Sequence, residues 1–144
     1  MAYAYSGTSK ERLDSCHKDI QTIWNELILW VDCSVFCGHR GEADQNKAFM
    51  ENKSKVKYPN SKHNSIPSMA VDSGPFFVEI RNTDWNDRLA FARFAGRVDQ
   101  ITDQLLKAGK ISHSIVWGGD WDGDGRSTDH NFLDLPHFQL KPLE

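Results

Sequence analysis

Residues 9–38 read SKERLDSCHKDIQTIWNELILWVDCSVFCG, and the hydrophobic period changes within this stretch. Leu13, Cys16, Ile20, Ile23, Trp24, Leu27 and Ile28 recur at intervals of three and four, the spacing of one helix face. Thr8 followed by Glu11 has the pattern of a capping box, so a helix is expected over residues 9–29. WVDCSVFCG then reads as a strand ending at Gly38. The even separation of Cys33 and Cys37 would set both on one strand face.

Working outward, Glu42–Met50 reads as a short polar helix. Residues 51–68, rich in Lys, Asn, Ser and Pro, read as a long loop, and long loops in small domains are often functional. Met69–Phe77 reads as a strand. Thr83 is placed to cap a helix whose apolar stripe is Trp85, Leu89, Phe91, Phe94, Val98, Ile101 and Leu105, with Gly109 as its stop. Ser114–Trp117 and His137–Leu140 read as strands on either side of a loop dense in Gly and Asp, GGDWDGDGRSTDHN at 118–131. Helices and strands mixed without regular alternation predict an α+β fold: a small, mainly antiparallel sheet with packed helices. No repeat or linker divides residues 1–144, so one domain is expected.

Composition narrows the function classes. The 144 residues are 39% hydrophobic and 11% aromatic, enough for a globular core. With a formal charge of -3 and no basic stripe, nucleic acid is not the expected partner. No apolar run has the length of a membrane span, and MAYAYSGTSKERL lacks the apolar run of a secretory signal, so synthesis and folding in a cytoplasm are expected. Three cysteines, Cys16, Cys33 and Cys37, fit free thiols outside the chemistry better than a disulfide framework. Cys33, Cys37 and His39 could also suggest a structural zinc site, but no fourth ligand is near and small core residues are the preferred reading.

His63 stands nine positions before Asp72, and His137 lies far along the chain. A catalytic zinc ion needs three protein ligands and an open fourth position, and these side chains are suitable donors. No HExxH or HxxEH pattern occurs, so spacing alone leaves each histidine open to an ordinary structural role.

The blocks GHRGEADQNKAF (38–49), SKHNSIPSMAVDSGPF (61–76), WGGDWDGDG (117–125) and DLPHFQL (134–140), in this order, resemble the zinc D-alanyl-D-alanine carboxypeptidase and dipeptidase family. They are most similar to its bacteriophage branch, the L-alanyl-D-glutamate endopeptidase endolysins, and SKERLDSCHKDIQTIWNELI fits that branch too. The likeness spans nearly the whole chain. It implies a zinc site at the edge of the sheet, with His63, Asp72 and His137 as ligands and one Zn2+ per chain. It implies Asp134 and Arg40 as catalytic groups, Asp134 as the acid–base, and a substrate-binding set of Arg40, which meets the substrate carbonyl or carboxylate, Gln45, which supports it, and Ser61, the serine of the SxH motif. Gln139 is a neutral variant in the final motif, and the stretch from His63 to Asp72, with Pro67 inside it, is longer than in some members.

The chemistry runs in parallel. Zinc lowers the pKa of water to about 7. Asp134 could then take its proton and pass it to the leaving amine. Arg40 offers a planar cationic fork, though on its residues alone it could equally pair with Glu42 or Asp44. Asp122, Asp124 and Asp129 faintly echo a calcium loop, but the full pattern is missing and an ordinary turn is the preferred reading, with Ca2+ as its rival. Trp117 and Trp121 read either as packing under the sheet or as a wall for substrate. The expected function is hydrolysis of peptidoglycan stem peptides at the L-Ala–D-Glu bond by a monomer made in the host cytoplasm. The rivals are a D,D-carboxypeptidase trimming terminal D-Ala and a non-catalytic zinc-bearing wall-binding module.

Overall fold

The apolar period of residues 9–29 folds as two helices rather than one. In the computed structural model, which describes residues 3–143, these are α1 (Gly7–Asp14) and α2 (Lys18–Leu27). The break falls at Ser15–His17, where the chain leaves the helix to bond Ser68: Ser68 N donates to Ser15 O at 2.9 Å and His17 N to Ser68 O at 2.8 Å. Cys16 stays in the apolar stripe through this detour, so periodicity could not reveal it. The caps move accordingly. Ser6 caps α1 through its Oγ, which accepts from Ser9 N, and His17 Nδ1 caps α2 by accepting from Asp19 N at 3.0 Å. Thr8 and Glu11 lie inside α1, so no capping box forms there.

Four strands follow: β1 (Cys33–Cys37), β2 (Ala70–Pro75), β3 (His113–Trp117) and β4 (His137–Pro142). They form one antiparallel sheet in the order β1-β2-β4-β3. α3 (Glu42–Met50) matches its sequence reading, and a 3-10 turn at Lys62–Asn64 interrupts the long loop. α4 (Arg88–Lys107) starts later than expected. Asp87 caps it through Oδ1, which accepts from Ala90 N at 3.0 Å, whereas Thr83 Oγ1 donates to Pro75 O. Trp85 therefore lies before the helix and packs on Phe36 and Phe91. Leu89, 83% exposed, is off the core stripe. Gly109 follows the helix at φ +72, as a terminating glycine should.

Helices cover one face of the sheet. Ile20, Ile23, Trp24 and Leu27 of α2 and Phe94, Ala95, Val98 and Ile101 of α4 bury against Val35, Val71, Phe138 and Leu140. Trp24 packs edge-on to Phe138 with centroids 5.3 Å apart, and its indole N–H donates to Ser73 Oγ at 2.9 Å.

Strand alternation then sends Asp72 and His137 to the opposite face, where they are direct cross-strand partners. Cys37 joins them because β1 is irregular between Val35 and Cys37. Val35 pairs with Ser73 on the core side, but Cys37 pairs with Asp72. The expectation that Cys33 and Cys37 share a face fails for this reason. Cys33 is buried in the core and Cys37 is half-buried on the other side. All three cysteines are free. Among the described residues no helix is long and apolar enough to cross a membrane.

Candidate metal centre and active site

Cys37, Asp72 and His137 form a row across β1, β2 and β4 with Asp72 in the middle. His63 joins the row from the 3-10 turn. Ser61 caps that turn: its Oγ accepts from His63 N at 3.2 Å, and Asn64 Oδ1 accepts from Ser61 N at 2.9 Å. Asn64 Nδ2 donates to Arg40 O, and Arg40 N donates to His63 O at 2.8 Å, so the turn is tied to the segment after β1.

Both histidine tautomers follow from their outer partners. His63 Nδ1 is 2.7 Å from the carbonyl of Gly38, which can only accept, so that nitrogen carries the proton. Its Nε2 lone pair then faces Asp72 Oδ1 at 3.1 Å. His137 Nε2 is 2.8 Å from Gln139 Oε1 and likewise donates, which turns the Nδ1 lone pair toward the same Asp72 Oδ1 at 3.3 Å. Two acceptors aimed at one carboxylate oxygen need a cation or protons among them. Burial disfavours a charged His63, but Asp72 outweighs it and raises His63 to about 10. Burial pushes Asp72 up, yet His63 and His137 hold it well below the usual carboxylate range. A divalent ion in the same place would satisfy the same lone pairs without the protons. Ligand bonds of about 2.0–2.1 Å around a tetrahedral ion leave donor atoms about 3.3 Å apart. The two separations to Asp72 Oδ1 match that edge, and nitrogen and oxygen donors are of the kind zinc takes. Among the described residues the trio at this site whose donor atoms all lie within 4.8 Å of one another is Cys37, His63 and Asp72.

Arg40 reaches over the row. Its Nη2 is 3.4 Å from Asp72 Oδ2, and its Nη1 donates to Gln45 Oε1 at 3.1 Å. Gln45 is wholly buried and its amide donates to Ser54 Oγ and Val56 O, so it anchors Arg40 and the following loop rather than facing the cleft. Neither Glu42 nor Asp44 pairs with Arg40 in the structure; Asp72 is its ionic partner.

Asp134 lies in the segment between the Asp-rich loop and β4. Its N donates to Gly118 O at 2.8 Å, and its carbonyl accepts from His137 N. A Cβ at Gly118 would stand 2.1 Å from that carbonyl, so the glycine of WGGD is what lets this segment close on the end of β3. Burial and then the charge of Asp72 raise Asp134 to about 6, with His137, His63 and Arg40 pulling the other way.

A cleft of about 720 Å³ joins these groups. Ser61, His63, Asp72, Asp134, His137 and Arg40 all line it. Trp121 forms part of its wall, stacked on Phe132 and tilted over His137 with centroids 5.4 Å apart. Trp117 packs against the core instead, donating to Leu135 O at 2.7 Å. Lys55 Nζ sits 5.0 Å over the Phe132 ring, a contact between the two long loops. Carboxylate oxygens of Asp122, Asp124 and Asp129 gather within 4.8 Å of one another and could hold a cation. Asp122 and Asp124 also accept backbone N–H bonds from their own loop, as turn aspartates do. Cys37, Trp85 and Phe132 were not anticipated at the site. Phe132 belongs to no periodic element, and the irregularity of β1 that turns Cys37 leaves no mark in the sequence.

A family described as phage L-alanyl-D-glutamate peptidase matches residues 1–141. The chain belongs to that family. The peptidase is therefore a hydrolase of peptidoglycan stem peptides. It is similar in structure to the Serratia marcescens L-Ala D-Glu endopeptidase ChiX, with a TM-score of 0.70 and 23% sequence identity over 96% of this chain and 90% of that one. At that identity the likeness is one of fold. No curated protein gives a sequence match.

Proposed function

We propose that the peptidase hydrolyses the L-alanyl–D-glutamate bond with one zinc ion held by His63, Asp72 and His137. The observation that carries this reading is the convergence of two imidazole nitrogens on Asp72 Oδ1 at 3.1 and 3.3 Å. When bound, the ion supplies a Lewis acid and lowers the pKa of water to about 7. Asp134 then accepts a proton from the attacking water and returns it to the departing glutamate nitrogen. The C–N bond breaks, leaving a carboxylate on alanine and an amine on glutamate. Arg40, held in place by Gln45, faces the developing oxyanion or a substrate carboxylate. Ser61 serves by capping the His63 turn.

The charge of the cleft supports a glutamate substrate. Arg40, Lys53, Lys55 and Lys62 line it and outnumber the carboxylates Asp72 and Asp134, although the whole chain carries -3. Opposite charge at a cleft mouth raises the rate of encounter with an anionic substrate.

Digestion of defined muropeptides, read by mass, tests the reading. Zinc-loaded protein is expected to separate L-Ala from D-Glu, and chelation to stop the reaction until zinc returns. Release of terminal D-Ala instead would indicate a carboxypeptidase, and binding without turnover a wall-binding module. Full activity in protein shown to be free of metal would overturn the zinc assignment.

A further inference from the structure

Strict alternation along β1 would bury Cys37 with Cys33 and Val35, which are 4% and 0% exposed. The irregularity after Val35 shifts the phase, and Cys37 pairs with Asp72 rather than continuing on the core face. Directly paired residues of antiparallel strands project to the same side with Cβ atoms about 4.5–5.5 Å apart. Cys37 therefore stands on the face that carries Asp72 and His137. Its sulfur, a ring nitrogen of His63 and a carboxylate oxygen of Asp72 all lie within 4.8 Å of one another. The thiol donates a long hydrogen bond, 3.5 Å, to Gly38 O, the same carbonyl that takes the His63 Nδ1 proton. A weakly held thiol thus lies beside two groups whose donor atoms already converge.

We propose that Cys37 is a fourth protein donor to the metal, competing for the position otherwise open to solvent. This rests on the zinc reading above. Thiolate sulfur is a strong zinc ligand, with Zn–S near 2.3 Å, only slightly longer than the nitrogen and oxygen bonds. In the step proposed the Cys37 S–H bond breaks, its proton passes to solvent, and the sulfur electron pair binds the ion. No electron changes hands. Substrate must displace the sulfur, so the thiol holds the resting centre closed.

Cobalt(II) in place of zinc tests this without reference to turnover. Cobalt bound by thiolate gives an intense sulfur-to-metal absorption in the near ultraviolet, while its visible bands report binding by any ligand set. The wild-type protein is expected to show both, and Cys37→Ser to keep the visible bands and lose the ultraviolet one. Alkylation with iodoacetamide, located by peptide mass, gives a second reading on the unaltered chain. Because the free thiolate is the nucleophile, Cys37 should react about tenfold or more slowly once cobalt or zinc is bound. Cys16 and Cys33, buried in the core and each pushed up to about 12 by that burial, serve as unreactive internal controls. Visible bands without the ultraviolet band, together with alkylation indifferent to metal, would overturn the proposal and leave the zinc reading standing. Absence of any cobalt binding would instead overturn the zinc reading itself. Should Cys37→Ser fail to fold, Cys37→Ala and the labelling of wild-type protein decide the same question.

Discussion

Asp72 is the residue on which the site turns, because two imidazoles and a guanidinium all address its carboxylate. A measurable consequence follows from His63, whose pKa is raised to about 10 in the metal-free state. At pH 7 it then carries a proton that a metal must expel, so zinc binding is expected to release at least about one proton per chain. Calorimetry in buffers of different ionisation enthalpy would read this, and a buffer-independent enthalpy would contradict it. Asp134 works in the other sense. Raised to about 6, it is a base above that pH and loses that role as pH falls through it. A nearby dication favours the carboxylate, so the acid limb of kcat should lie at or below about pH 6. Asp134→Asn should keep its zinc and lose roughly 100-fold in rate, the usual scale of general acid–base help. Retained zinc with near-normal turnover would remove Asp134 from the mechanism. These roles were legible only where short motifs carried them. Neither the protonation of His63 nor the elevated Asp134 could be read from sequence, since both depend on burial beside Asp72.

Elements decide how these side chains meet, and the sequence shows some of them better than others. The strands β2 and β4 and the short polar helix α3 were readable in the sequence, since nothing interrupts them within their length. The break between α1 and α2 and the irregularity of β1 were not, because Cys16 and Cys37 are apolar enough to fit either side of the disruption. Glycines mark two of the resulting close approaches. A Cβ on Gly38 would lie 2.2 Å from Arg12 O, and one on Gly118 would lie 2.1 Å from Asp134 O. Gly118→Ala should therefore displace the Asp134 segment, lowering kcat while zinc content stays near that of the parent. An unchanged kcat would show that the segment tolerates the methyl. Gly96 offers the contrasting case within α4, where an added Cβ meets nothing within 4 Å. Gly96→Ala is expected to stabilise by roughly 0.5–1 kcal/mol through reduced chain entropy, visible as a higher denaturation midpoint.

At the scale of the molecule the sheet separates two jobs. Its helix-covered face holds the apolar core, and none of His63, Asp72 or His137 belongs to that cluster. The mixed helix and strand pattern made the α+β class readable. It could not say which face of the sheet carries the site, because that depends on the register of β1, β2 and β4. The separation predicts how the protein responds to metal removal. Zinc ligands drawn from residues 63, 72 and 137 would tie the long loop to two neighbouring strands, so an ion bound only to the native state must raise Tm. The core does not depend on that ion, so chelated protein should keep its far-ultraviolet circular dichroism and unfold cooperatively at a lower temperature. The gap in Tm should also depend on pH. The charged His63–Asp72 pair of the metal-free protein contributes stability that is fully present below about 6.5 and is lost as pH rises through about 10. The zinc-bound form has no such proton to lose. Between pH 6.5 and 10 the difference in Tm between loaded and chelated protein should therefore widen. Calorimetry on both forms across that range would measure it. Loss of all structure on chelation would place the metal inside the folding core, and a gap that narrows with rising pH would deny the ion pair its role.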